Sequence, residues 1–81
     1  MKIYLVRDFG YENMYMFSTL DKAKECCYNL AEQEWEQNTS SFEENPFDKD
    51  DVTFVNGKDC IYVDYQYRDL AIITTHELDN N

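Results

Sequence analysis

An Asn-Gly pair at positions 56 and 57 restricts the fold of this chain more than any other feature. It lies between two runs rich in β-branched and aromatic residues, at 52–55 and 60–67. Asn and Gly tolerate the backbone of a tight turn, so this arrangement predicts a β-hairpin. Alternation in the second run predicts an inward set and a solvent-facing set. The inward set is Ile61, Val63, Tyr65 and Tyr67, and the outward set is Tyr62, Asp64 and Gln66.

Three further segments, at 2–7, 14–17 and 70–78, have the apolar and β-prone composition of strands. The first two are separated by six residues that include Gly10, which predicts a second hairpin across residues 2–17. A turn at Arg68-Asp69 is expected to precede the last strand.

Between the hairpins, apolar residues recur at the spacing of a helix, which predicts a helix over 19–37. Ser18 has the character of an N-cap, with Asp21 in the first turn. The buried stripe is expected to contain Leu20, Ala23, Cys27, Leu30 and Ala31, with Trp35 near its far end.

These elements predict one α+β domain over residues 1–81, with the order β-β-α-β-β-β. Short connections favour antiparallel neighbours. We therefore expect an antiparallel sheet of four to five strands with one amphipathic helix packed on one face. The aromatic content of 16% indicates a folded chain.

An acidic segment follows the middle of the helix and continues through a loop predicted at 38–51. It places eight carboxylates against one cation, Lys49, in a chain of net charge −10. Phe42 and Phe47 interrupt the loop, and each either pins it to the body or projects from it. The eight carboxylates are Glu32, Glu34, Glu36, Glu43, Glu44, Asp48, Asp50 and Asp51.

Composition excludes several classes of partner and compartment. Seven scattered basic residues do not form the patch that phosphate binding needs. No apolar run reaches the length of a membrane span, and the first seven residues are too short and too polar for a signal peptide. We therefore expect that the protein binds neither nucleic acid directly nor a membrane. We also expect a cytoplasmic location in a bacterial cell. The three cysteines, Cys26, Cys27 and Cys60, are expected to be reduced thiols.

No arrangement of residues predicts catalysis or a cofactor. The two glycines do not form a phosphate loop, no serine lies in a nucleophile elbow, and His76 is the lone histidine. A calcium loop counted from Asp48 would need Gly and Glu where Thr53 and Asp59 stand. The sequence therefore predicts a protein that is not an enzyme, with no cofactor and no metal site.

Three interpretations of the acidic segment remain open. It is a solvated face that keeps the chain soluble, a mimic of the charge that DNA presents, or a docking segment for a basic regulatory partner.

Two resemblances bear on this choice. The chain resembles a broad group of small, mostly uncharacterised phage and bacterial proteins in its opening strand, in the helix entry Phe17-Ser18-Thr19-Leu20-Asp21-Lys22-Ala23 and in the ending Glu77-Leu78-Asp79. That resemblance implies the fold and no catalytic residue. In size and charge the chain also resembles phage inhibitors that mimic DNA, of the anti-restriction and anti-CRISPR type.

The leading hypothesis is thus a phage-type inhibitor that binds a basic nucleic-acid-binding host protein, such as a CRISPR effector or a restriction enzyme. The alternative is a non-catalytic structural or accessory domain that self-associates through its sheet as a homodimer. The predicted partner-binding residues are Glu32, Glu36, Glu43, Glu44, Asp48, Asp50 and Asp51, with Trp35, Phe42, Phe47 and Tyr62 as aromatic contacts.

Overall fold

The computed structural model describes residues 1–10, 12–38 and 47–77, and it confirms the α+β class. One helix packs against a five-stranded antiparallel sheet. In chain order the elements are β1 (Lys2–Asp8), β2 (Met14–Phe17), α1 (Leu20–Asn38), a short 3-10 helix (Lys49–Asp51), β3 (Val52–Asn56), β4 (Cys60–Tyr65) and β5 (Arg68–Glu77).

The strand order across the sheet is β2-β1-β5-β4-β3. The longest strand, β5, is therefore central, and it joins the two hairpins by pairing with β1 from Lys2 opposite Glu77 to Asp8 opposite Ala71. Where β5 meets β4, the register shifts between Val63 and Asp64, so β5 has an extra residue at this point. Such an irregularity bends its strand, here the first part of β5, next to the β4–β5 turn.

The core lies between α1 and one face of the sheet. Because side chains alternate along a strand, this face takes every second residue of each strand, except at the irregularity in β5, where the consecutive Leu70 and Ala71 are both buried. The predicted helix stripe is confirmed, with Leu20 and Trp35 half-buried at its ends. The buried apolar residues are Ala23, Cys27, Leu30 and Ala31 from the helix and Val6, Val52, Val63, Tyr65, Leu70, Ala71 and Ile73 from the sheet.

The helix begins one residue later than the predicted cap implied. The Thr19 hydroxyl accepts a hydrogen bond from the Lys22 N–H at 3.2 Å, and the Thr19 carbonyl accepts from the Ala23 N–H at 3.2 Å. Thr19 is therefore the N-cap, and the assignment to Ser18 was wrong. Since Phe17 still pairs with Tyr4 in the sheet, the chain uses two residues to turn from strand to helix.

The turn between β4 and β5 also differs from the prediction. Gln66 and Tyr67 form it, with φ of 50° and 65°, and Arg68 already belongs to β5. Positive φ at both central residues is what a type I′ hairpin turn requires. Tyr67 is therefore not an inward residue but is fully exposed. The rest of the predicted inward set is correct, since Val63 and Tyr65 are buried and Ile61 packs against the core.

The hairpin predicted from the Asn-Gly pair is present, but its turn is centred on the next two residues. Gly57 donates its N–H to the Cys60 carbonyl at 2.8 Å, and Asp59 has a φ of 60°. Gly57 itself does not have positive φ. A Cβ there would lie 2.6 Å from Cε2 of Tyr62 and 3.0 Å from Sγ of Cys60, so a larger residue would require these two side chains to move.

Candidate functional site: an acidic end of the domain

Three aromatic rings join the second half of α1 to the segment that leads into β3. Phe47 lies 5.9 Å from the ring of Tyr65 and 6.3 Å from that of Trp35, measured between centroids. Tyr65 is buried, and Trp35 and Phe47 are half-buried. Phe47 therefore holds its segment against the body of the protein, and Trp35 is part of the same packing.

This packing brings together carboxylates that are distant in sequence. Burial raises the pKa of the Tyr65 phenol, and the nearby charges of Asp51 and Glu34 raise it further. One phenol thus lies near one carboxylate from the helix and one from the segment before β3. These two segments together carry six carboxylates, which we call the acidic end: Glu32, Glu34, Glu36, Asp48, Asp50 and Asp51.

The segment from Asp48 to Asp51 is ordered by its own hydrogen bonds. An oxygen of the Asp48 side chain accepts from the Asp50 N–H at 2.9 Å and caps the 3-10 helix. The Asp51 N–H donates to the Asp48 carbonyl at 3.1 Å. Asp50 and Asp51 are exposed, so the turn presents both carboxylates to solvent.

The cation of this segment lies over an aromatic ring of the helix. Nζ of Lys49 is 5.4 Å from the centroid of the Tyr28 ring. Tyr28 in turn meets Phe54 edge-on at 5.5 Å, and Lys24 lies over Phe54 at 5.3 Å. Through its contact with the Tyr28 ring, Lys49 attaches the turn to α1.

The negative side chains of α1 lie near its C-terminal end, where the helix dipole disfavours negative charge. Glu32, Glu34 and Glu36 occupy the C-terminal half of α1, and its last turn has no basic residue. The C-terminal end of a helix carries partial negative charge and favours cations. Within residues 1–10, 12–38 and 47–77, no lysine or arginine forms an ion pair with Glu32, Glu36, Asp48, Asp50 or Asp51.

A cleft of about 590 Å³ lies beside this acidic end, at the β4–β5 turn. Three carboxylates line it, and Tyr67 stands at it with its ring fully exposed. The sequence did not indicate the contributions of Asp64, Gln66 and Tyr67, because the predicted turn was placed two residues too late and Tyr67 was assigned to the core. The lining residues are Asp50, Asp51, Thr53, Asp64, Gln66 and Tyr67.

The predicted partner-binding residues fall into three groups. Glu32, Glu36, Asp48, Asp50 and Asp51 are exposed and belong to the acidic end, beside the packed rings of Trp35 and Phe47. Phe42, Glu43 and Glu44 lie outside the described residues. Tyr62 is exposed on the sheet face that α1 does not cover, where a hydrogen bond with Cys60 raises the pKa of its phenol.

The remaining reactive groups do not converge on the cleft. All three cysteines are free, and burial raises the pKa of the Cys27 thiol to about 12, with smaller contributions from Cys26 and Asp8. Asp8 is buried; its Oδ1 accepts from the Gly10 N–H at 2.8 Å, whereas Oδ2 has no hydrogen-bond partner. His76 is exposed and its Nε2 is 2.9 Å from the Thr74 hydroxyl.

Comparison of the chain with protein families, with curated proteins and with solved structures finds no match. In the part of the chain that the structure describes, no helix is both long and apolar enough to cross a membrane.

Proposed function

We propose that this protein is a non-enzymatic inhibitor of the kind that phages encode, and that it occupies the nucleic-acid-binding groove of a basic host protein. The observation that carries the proposal is the packing of Trp35, Phe47 and Tyr65. These rings hold carboxylates from α1 and from the Asp48–Asp51 turn at one end of a folded domain. A solvated loop would not need such attachment.

A groove that binds DNA is adapted to a series of fixed anions, since duplex DNA presents one charge per about 1.7 Å of axis. The acidic end supplies anions on rigid elements. Glu32 and Glu36 are one helical turn apart, about 6 Å along the axis. Asp50 and Asp51 are presented by a turn that Asp48 caps. Because the backbone that carries these groups is ordered before binding, association costs little backbone conformational entropy.

The cleft beside the acidic end suits a basic side chain of the partner. An arginine entering it would meet the carboxylates of Asp50, Asp51 and Asp64 and the exposed ring of Tyr67. Guanidinium groups bind carboxylates through paired hydrogen bonds and stack on aromatic rings. Tyr67 is therefore proposed as an aromatic contact that adds to the charge.

The proposed target class is a defence nuclease, such as a CRISPR effector or a restriction enzyme, because such enzymes hold DNA in a strongly basic groove. A net charge of −10 on the inhibitor would also accelerate its encounter with such a groove.

The proposal is tested by capture from bacterial lysate with the full chain immobilised, followed by elution with duplex DNA. We expect a nucleic-acid-binding protein to be retained at low salt and displaced by the DNA. The double variant Asp50→Asn/Asp51→Asn should lose retention. The matched control Glu25→Gln/Asp59→Asn, which removes two exposed carboxylates elsewhere, should keep it. Equal retention by both variants, or no displacement by DNA, would contradict the proposal.

A further inference from the structure

The sheet has a second face that α1 does not cover, and the strand register identifies its side chains. Val55 of β3, Tyr62 of β4 and Ile72 of β5 lie side by side across it, and we call these three residues the apolar row. Val55 is 47% exposed, Tyr62 is 48% exposed, and Ile72 is half-buried. Beyond Ile72 the same level of the sheet continues with Arg7 and Met14. Three adjacent strands thus present apolar side chains to solvent on one surface.

Carboxylates adjoin the apolar row at the end of the sheet near the β4–β5 turn. Asp64 lies two residues beyond the row along β4, on the same face and about 7 Å further along the strand. Thr53 of β3 and Asp69 of β5 pair with Asp64 on either side. Asp64 and Thr53 also line the cleft that contains Asp50 and Asp51. We call Asp50, Asp51, Asp64 and Asp69 the acidic border, and it is continuous with the apolar row.

The described part of the chain does not neutralise the acidic border. Within residues 1–10, 12–38 and 47–77, no lysine or arginine forms an ion pair with any of its four carboxylates. Arg68 pairs with the buried Tyr65 and lines a different cleft on the helix side, which Asp69 also borders. Arg7 is on the uncovered face, but it lies on β1, at the level of the apolar row and on the far side of β5. A partner lying over β3, β4 and β5 would therefore meet anions at the turn and apolar side chains beyond it.

The dimensions of this surface suit one α-helix. A helix with its side chains is about 10–12 Å across, and three strands about 4.8 Å apart present a similar width. β4 has 6 residues and so extends about 20 Å, the length of about 13 helical residues. An extended peptide would pair with a strand edge instead, because a sheet face offers no backbone hydrogen bonds. Since α1 packs on the opposite face, a second helix here would complete three layers.

We infer that the apolar row and the acidic border together dock a basic amphipathic helix of a protein partner. The apolar stripe of that helix lies on Val55, Tyr62 and Ile72, and its arginines or lysines lie at the acidic border. Cations are favoured at the C-terminal end of a helix, so this end of the partner helix points towards the β4–β5 turn. Charge selects the occupant, because an acidic helix, or a second copy of a chain with a net charge of −10, would meet like charge here.

This inference rests on the proposed function in one respect, that the partner is basic, and it does not require the partner to bind nucleic acid. It extends the contact from the acidic end to the uncovered sheet face. There, the exposed ring of Tyr62 would be enclosed by apolar side chains, which is the environment in which aromatic residues contribute most to affinity.

A synthetic amphipathic peptide tests the inference through NMR titration of the isotope-labelled full chain. The peptide has about 18 residues, about 27 Å as a helix, with leucines on one face, alanine and glutamine elsewhere, and arginines only at its C-terminal end. We expect a dissociation constant below about 100 µM, with the largest shifts at Val55, Tyr62 and Ile72 and none at Glu25 of α1. A matched peptide with glutamates in place of the arginines should bind at least about tenfold less tightly.

The apolar row is tested by the double variant Val55→Thr/Tyr62→Thr. Both side chains are exposed, and threonine keeps the β-branched shape that strands favour, so circular dichroism should show a folded chain. The variant should bind the arginine peptide at least about tenfold less tightly, since it loses the apolar surface under the leucines.

The acidic border is tested by Asp64→Asn/Asp69→Asn, which should weaken binding about fivefold and make it less sensitive to salt. The matched control Asp21→Asn/Glu25→Gln removes the same charge from exposed positions on α1 and should stay within about twofold of the original. Equal losses in these two variants would mean that net charge alone attracts the peptide, and would overturn the inference.

Three further results would overturn it. They are no binding at about 1 mM peptide, equal binding of the glutamate peptide, and shifts confined to α1. A dimer in sedimentation experiments that covers the same residues would also overturn it, in favour of a second copy of the chain. The proposed function fails separately. Peptide binding without a partner that DNA displaces would contradict the function alone, whereas such a partner without peptide binding would contradict this inference alone.

Discussion

Tyr65 is the residue at which the separate parts of the acidic end meet. Its ring packs on Phe47 from the core side, and carboxylates from two elements raise the pKa of its phenol. The sequence predicted that Tyr65 would face inward, because it alternates with Asp64 and Gln66. It could not predict which carboxylates would lie near it, since Glu34 and Asp51 are joined only through packing that spans 17 positions of the chain.

Removal of those two charges should lower the pKa of the Tyr65 phenol. The double variant Glu34→Gln/Asp51→Asn loses both neighbouring anions but keeps the burial, so the value should fall and still remain above the ordinary value near 10. Titration of the tyrosine ring carbons by NMR measures this shift. In the control Glu25→Gln/Asp59→Asn the pKa of Tyr65 should not move. An unchanged pKa in the first variant would show that the acidic end is not assembled as described.

Ionisation of Cys27 contributes to the way the free energy of unfolding changes at alkaline pH. Its folded pKa of about 12 lies above the value of 9.0 for an unhindered thiol. Above pH 9 the unfolded chain therefore loses a proton that the folded chain keeps, so the free energy of unfolding falls as the pH rises towards 12. Urea unfolding at a series of pH values should show this fall, and Cys27→Ala should make it shallower while lowering stability at neutral pH. An equally steep fall in the variant would exclude Cys27 as its source.

At the scale of elements, α1 combines a stable buried stripe with an unfavourable C-terminal half. The stripe and the approximate limits of the helix were predictable, because they depend on local periodicity. The cap at Thr19 and the turn at Gln66 and Tyr67 were not, since each depends on where the neighbouring strand stops pairing. The position of Tyr67 at the cleft therefore emerged only from the structure.

The variant Glu36→Lys should stabilise the protein by about 0.5–1 kcal/mol at low ionic strength, because it replaces an anion with a cation near the C-terminal end of the helix. Urea denaturation measures the change, which should shrink in high salt. Glu25→Lys makes the same charge change in the first half of α1 and should give no comparable gain. If both variants gain equally, net charge rather than the helix dipole is responsible.

The same Glu36→Lys variant should bind the basic partner less tightly, although it is more stable. A residue that costs stability and improves binding is expected at a functional surface rather than on a face that serves solubility alone.

For the whole molecule, the sheet face that α1 does not cover exposes Met14, Met16, Val55 and Tyr62. The cleft at the β4–β5 turn joins Thr53 and Asp64 of this face to Asp50 and Asp51 of the acidic end. The fold class and element order were predictable from the two hairpins and the helix. The strand order was not, because the pairing of β1 with β5 joins residues from the two ends of the chain and no local pattern specifies it. That pairing is what places Arg7 and Tyr62 on either side of Ile72 in the central strand.

The most direct test of the acidic end is the salt dependence of affinity for the captured basic protein, measured by calorimetry or surface plasmon resonance. For the unchanged chain, we expect affinity to fall steeply and linearly on logarithmic axes as salt rises, as it does when ionic contacts dominate binding. For Asp50→Asn/Asp51→Asn, the slope should be shallower and the affinity at low salt at least about tenfold weaker. A flat response for the unchanged chain, or identical slopes for both proteins, would contradict the proposed role of these carboxylates.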